Sequence, residues 1–129
     1  MLKQTETISN KEIANVSSDE KNLSFASLSA SLAEISKLKG VLGYILRSNS
    51  TAIVDLFEPD KIIQYALLSS QINDSCQEMA KQFNLGETES MLVEGATVKV
   101  LCMNIGENKI SVFMEKSATH AWIIKRILL

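Results

Sequence analysis

The chain has 129 residues, 46% hydrophobic, 22% charged and 5% aromatic, with a formal net charge of −2. That length suits one domain that can bury an aliphatic core without metals or disulfides, and the composition excludes wholesale disorder. A slightly acidic chain without a basic stripe also argues against nucleic acid as a partner.

Residues 1–17 are polar with scattered aliphatics and read as a flexible N-terminal arm or a short, weakly formed helix, leaving 18–129 as the domain proper. The arm lacks the apolar stretch of a secretory signal. No run in the chain approaches the roughly 18 apolar residues needed to cross a bilayer, so membrane insertion is not expected and a soluble cytoplasmic protein is.

Order is expected to begin at Ser17-Ser18-Asp19-Glu20, which has the Ser-x-x-Glu form of a capping box. Phe25, Leu28, Leu32, Ile35 and Leu38 follow at steps of three and four, one apolar stripe on a helix that Gly40 can end. Residues 41–47 and 51–57 are rich in Val, Ile, Leu and Tyr and read as a β-hairpin around Ser48-Asn49-Ser50. Asn-Ser is a weaker turn than Asn-Gly, because serine tolerates positive φ poorly. The first of these strands is apolar on both faces, as a central strand should be.

Glu58-Pro59-Asp60 opens a second helix, with proline in the first turn and two acids at the positive end of the dipole. The pattern carries it to about Leu85, stopped by Gly86, which makes it about 40 Å long. Ile62, Tyr65, Ala66, Leu68, Ile72, Cys76, Met79, Ala80 and Phe83 form one broad stripe on it. Ile63 and Leu67 fall outside that stripe, among Ser70, Asp74 and Lys81, and hint at a partner.

Three more strands are expected at 90–94, 97–105 and 109–115, joined by Gly95-Ala96 and Gly106-Glu107-Asn108 turns. In the last, Ile110, Val112 and Met114 alternate with Ser111, Phe113 and Glu115, which predicts one wetter or partner-facing side. Ser117 or Thr119 caps a short terminal helix carrying Trp122, Ile123, Ile127 and Leu128, with Lys125-Arg126 suiting its negative end. The order α-β-β-α-β-β-β-α predicts an α+β sandwich with a five-stranded antiparallel sheet and helices mainly on one face.

Chemistry is harder to find. The one histidine, His120, opens the last helix, and no Gly-rich phosphate loop, Gly-x-Ser-x-Gly or Cys-x-x-Cys occurs. Asp55, Glu58 and Asp60 cluster before the second helix, where capping explains them better than a bound cation. Cys76 and Cys102 lie in apolar patterns without metal-ligand spacing and read as buried thiols of a reducing compartment rather than a disulfide. No catalytic, cofactor-binding or metal-binding residue is expected, and the chain does not read as an enzyme.

From about residue 28 to 128 the chain resembles the roadblock family, also called the dynein light chain roadblock type. The resemblance lies in Leu38-Lys39-Gly40-Val41-Leu42-Gly43-Tyr44-Ile45-Leu46, where an apolar helix enters a Gly-Val-x-Gly-Tyr strand. A tight hairpin, a long second helix, three strands and Lys116-Ser117-Ala118-Thr119-His120-Ala121 complete it. Asn49-Ser50 departs from the family's usual Asp-Gly hairpin, and Thr119-His120-Ala121 from the Asn-x-Gly common in prokaryotic members. The resemblance implies a profilin-like fold and a scaffold that pairs edge strands and packs second helices across a two-fold axis. It implies a homodimer or a heterodimer with a related roadblock domain, binding a small Ras-like GTPase as regulator or anchor. The alternative is a structural light-chain or scaffold subunit indifferent to nucleotide state. The interface residues implied here are Ile63, Leu67, Ser70 and Asp74 on the second helix and Met91, Leu92 and Val93 on the edge strand. Arg47 and Arg126 read as solvated charges rather than catalytic fingers.

Overall fold

The structure, a computed structural model, describes residues 2–7 and 24–129. A short strand β1 (Leu2–Thr7) precedes helix α1 (Phe25–Ile35) and the hairpin β2 (Val41–Arg47) and β3 (Thr51–Leu56). A 3₁₀ turn (Pro59–Lys61) leads into helix α2 (Ile62–Gln82). Strands β4 (Ser90–Glu94), β5 (Val98–Ile105) and β6 (Asn108–Glu115) and helix α3 (His120–Leu128) follow.

The five expected strands form one antiparallel sheet in the order β3-β2-β6-β5-β4, and β1 adds a sixth strand along β3. Part of the segment read as a flexible arm is therefore strand, while the rest of it, 8–17, lies outside the described residues. So does the Ser17–Glu20 capping box. Helix α1 is instead capped by Ser24, whose Oγ accepts from the Ser27 amide at 3.1 Å.

The sheet divides two cores. On one side Leu28, Leu32 and Ile35 of α1 and Ile123 and Ile127 of α3 meet Tyr44, Leu46, Leu101, Ile110, Val112 and Met114. On the other, Ile72 of α2 packs over Ile45, Leu56, Met91, Val100, Cys102 and Phe113. Helices thus cover both faces, two on one and one on the other. This corrects the expectation of a wetter face on β6: Phe113 is fully buried and stacks on Tyr65 of α2, with ring centroids 4.4 Å apart.

Two turns show how local chemistry sets the frame. In the hairpin neither Asn49 nor Ser50 needs a positive φ. The Ser48 hydroxyl accepts from the Ser50 and Thr51 amides at 3.3 and 3.2 Å, and Ser48 N–H donates to the Thr51 carbonyl at 2.8 Å. Helix α2 ends earlier than the glycine suggested. Asn84 takes the left-handed conformation at φ 56°, and the Leu85 amide reaches back to the Ala80 carbonyl at 2.8 Å, a Schellman stop that leaves Gly86 in the loop beyond. At 21 residues α2 is about 32 Å long.

The Gly-Val-x-Gly segment has a steric reason. Gly40 sits at φ 89° where the chain leaves α1, and the β2–β6 ladder is bulged between Val41 and Gly43. A Cβ at Gly43 would overlap the Asp55 carbonyl oxygen and come within 2.7 Å of the Leu56 Cα.

Candidate docking surface

Only a narrow line of α2 is buried: Ser69, Ile72, Asn73 and Ala80, with Ile62, Tyr65 and Cys76 half-buried beside them. The broad apolar stripe expected from the sequence is not what packs. Ala66, Leu68, Met79 and Phe83 are exposed, because two polar residues occupy the buried line in their stead. The Ser69 hydroxyl donates to the Ala66 carbonyl at 3.2 Å, and the Asn73 side chain accepts from Asn104 Nδ2 at 3.2 Å. Each polar group is satisfied where it is buried, so neither costs the domain an orphaned hydrogen bond.

The consequence is a helix that leaves apolar surface in solvent. Ile63 is 76% exposed and Leu67 59%, one turn apart, with half-buried Ser70 and exposed Asp74 continuing the line. Phe83 and Leu85 at the end of the helix are 68% and 72% exposed. These two and Met79 are candidate surface residues that the sequence reading missed, having assigned Met79 and Phe83 to the core.

Strand β4 lies beside this surface. It pairs with β5 in the register Met91↔Cys102, Leu92↔Leu101 and Val93↔Val100, and its other edge has no strand partner among the described residues. Met91 and Val93 face the α2 side; Met91 is buried in that core, whereas Val93 is 42% exposed. Leu92 packs toward the α1–α3 core. The structure thus gathers Ile63, Leu67 and Val93 on one side of the sheet as exposed side chains, while Met91 and Leu92 are available to a partner mainly through their backbone.

No protein-family profile and no curated protein sequence significantly matches the chain. Solved structures do. A roadblock/LC7 domain from Streptomyces avermitilis superposes with a TM-score of 0.62 at 16% identity, over 77% of this chain and 83% of its own. Myxococcus xanthus MglB gives the same TM-score at 17% identity, over 88% of this chain and 86% of its own. The chain has the roadblock fold. The pattern that suggested it, a helix entering a glycine-gated strand, followed by a hairpin and a long helix, is the pattern the roadblock fold here uses to set β2 against β3.

Elsewhere the roadblock scaffold brings little chemistry together. Asp55 is buried in β3 beside Tyr44, its partner across the hairpin, whereas Glu58 and Asp60 are exposed. The three acids read as one cluster are therefore separate, and Glu58 instead pairs with Lys61 at 3.3 Å. Burial pushes the Tyr44 phenol above its ordinary value of 10.0, and the Asp55 charge adds to the rise. Both Tyr44 Oη and Asp55 Oδ1 are buried without a hydrogen-bond partner among the described residues. His120 sits 3.2 Å from Lys99 Nζ through Nδ1. Among the described residues no three His, Cys, Asp or Glu side chains gather so as to hold a metal ion. No described helix is long and apolar enough to cross a membrane. Both cysteines are free, Cys102 buried and Cys76 half-buried.

Proposed function

We propose that this protein is a non-enzymatic docking domain that pairs with a second copy, or with a related roadblock domain, and in that form holds a small Ras-like GTPase. The observation that supports it best is the exposed Ile63–Leu67 line lying on the same side of the sheet as the open edge β4. A two-fold mate would cover both at once: β4 against β4, which must run antiparallel, and α2 against α2. An uncovered edge strand beside exposed aliphatics is otherwise an aggregation hazard. The interface residues are then Ile63, Leu67, Ser70 and Asp74 of α2 and the backbone of Met91, Leu92 and Val93 of β4.

The GTPase rests on the family resemblance. Its content is shape and charge complementarity with a nucleotide-sensitive surface, without chemistry of this chain's own on the nucleotide. Arg126 lies over the Trp122 ring, 5.1 Å from its centroid, a placement that holds the guanidinium against its own domain. The test is binding of small Ras-like GTPases, each loaded with GDP or a non-hydrolysable GTP analogue, to the immobilised protein. Preference for one nucleotide state supports the reading, and any acceleration of hydrolysis should survive Arg126→Ala. Equal capture of both states, or capture only of a large non-GTPase chain, would replace it with the structural light-chain role.

A further inference from the structure

The charge left over by the docking surface collects at one end of the α2-covered face. Arg47 and Lys109 stand directly opposite each other in the β2–β6 register, so their side chains share that face. Like charges in such a pair repel. Neither has a carboxylate within ion-pair distance: the ion pairs among the described residues are Lys37–Glu34 and Lys61–Glu58, both one helical turn apart and exposed. Lys109 also lines a hollow of about 350 Å³ between α2, the α2–β4 loop and the β5–β6 turn. A third cation, Lys81, lines it too, with Gln77, Thr88 and Asn104. Glu87 is the one acid in its lining, and Asp74 and Glu78 flank Lys81 on the outer side of the helix. A narrower crevice shares Asn104 and Lys109 with this hollow and reaches Arg47 and Asn73.

The floor is built rather than incidental. Asn104 Nδ2 donates to Asn73 Oδ1 at 3.2 Å and to the Thr88 backbone oxygen at 3.1 Å, and the Asn104 backbone N–H donates to the Glu89 carbonyl at 2.9 Å. That staples the loop to β5. Asn73 is only 8% exposed, and its Oδ1 is taken by Asn104. A threonine hydroxyl and two lysines against one lining acid, with Arg47 reached through the adjoining crevice, form a donor-rich site in a chain whose net charge is −2. We infer that this hollow binds a phosphoryl group, whose several acceptor oxygens and charge near −2 match such a set of donors. An anion there would also relieve the repulsion between Arg47 and Lys109.

The phosphoryl group could be carried by a small molecule or by a phosphorylated side chain, and two titrants separate them. The full chain is titrated with inorganic diphosphate and, separately, with O-phosphoserine at constant ionic strength. The amide resonances of Thr88, Gly106 and Lys109 are followed, with sodium chloride as control. Saturable shifts confined to these residues are expected with at least one titrant. Diphosphate alone points to a free anion, and phosphoserine binding as tightly as diphosphate points to a modified side chain. The double variant Arg47→Gln/Lys109→Gln should weaken binding by about tenfold or more. Its melting temperature should not fall, since the change removes a repulsive pair, and that separates lost binding from lost folding. No saturable shift with either titrant, or equal affinity in the double variant, overturns the assignment.

Discussion

Replacing Leu67 by Asp separates a dimerising surface from a merely greasy helix. Fully burying a leucine or isoleucine is worth about 1.5–3 kcal/mol. With 76% of Ile63 and 59% of Leu67 still in water, roughly 1–2 kcal/mol per side chain remains to be gained by covering them. A two-fold contact counts each twice, so four side chains supply roughly 4–8 kcal/mol before the cost of association. Leu67→Asp removes two of the four and sets two carboxylates in the seam, a loss of at least about 3 kcal/mol, or more than a hundredfold in Kd. Sedimentation equilibrium across the micromolar range should show the parent near twice 14.2 kDa and the variant at 14.2 kDa. Ala30→Asp, an exposed position on α1 across the sheet, should leave the parent behaviour intact. A parent that stays monomeric at high micromolar concentration, or a Leu67→Asp variant that dimerises as tightly as the parent, refutes the reasoning.

Three further outcomes follow from the fold. Gly43→Ala should destabilise by about 2–4 kcal/mol in urea unfolding, since its Cβ meets the β3 backbone and its φ of 148° suits no other residue; an unchanged midpoint would mean the bulge can relax. Cys102, buried beside the Ser111 hydroxyl at 3.5 Å, has a thiol pushed upward chiefly by burial, so a disulfide reagent near neutral pH should modify Cys76 first and Cys102 only on unfolding. Tyr44 holds its proton more tightly in the folded protein than in the unfolded chain, so its contribution to stability is complete below pH 10 and is lost as pH rises through the folded value. Absorbance titration into base should show one tyrosine ionising late, and Asp55→Asn should bring it earlier; no change in that variant would remove the charge from the account.

Much of the architecture was legible because it is written in spacing. The stripe Leu28, Leu32, Ile35 is the buried face of α1, and the two-sided apolar run of β2 places it between β3 and β6. Helix α2 was read less well for a definite reason. Its buried line runs through Ser69 and Asn73, whose hydrogen bonds let them sit inside, so an apolar count shifts the stripe onto Ala66, Leu68, Met79 and Phe83. The off-stripe positions Ile63 and Leu67 are exposed in the fold, as an unpaired patch should be. The donor-rich hollow was invisible, because Arg47, Lys81 and Lys109 are scattered along the sequence and only the β2–β6 register and the turn after α2 bring them to one end.

The sheet that separates two cores also separates two kinds of selection. Side chains between it and α1–α3 include most of the fully buried ones, so that side fixes whether the chain folds. On the other side α2 rests on few buried residues and turns the rest of its circumference outward. Substitutions along that outer circumference can alter which surface the domain recognises while leaving the larger core untouched. A scaffold divided in this way can exchange partners over generations without having to relearn its fold.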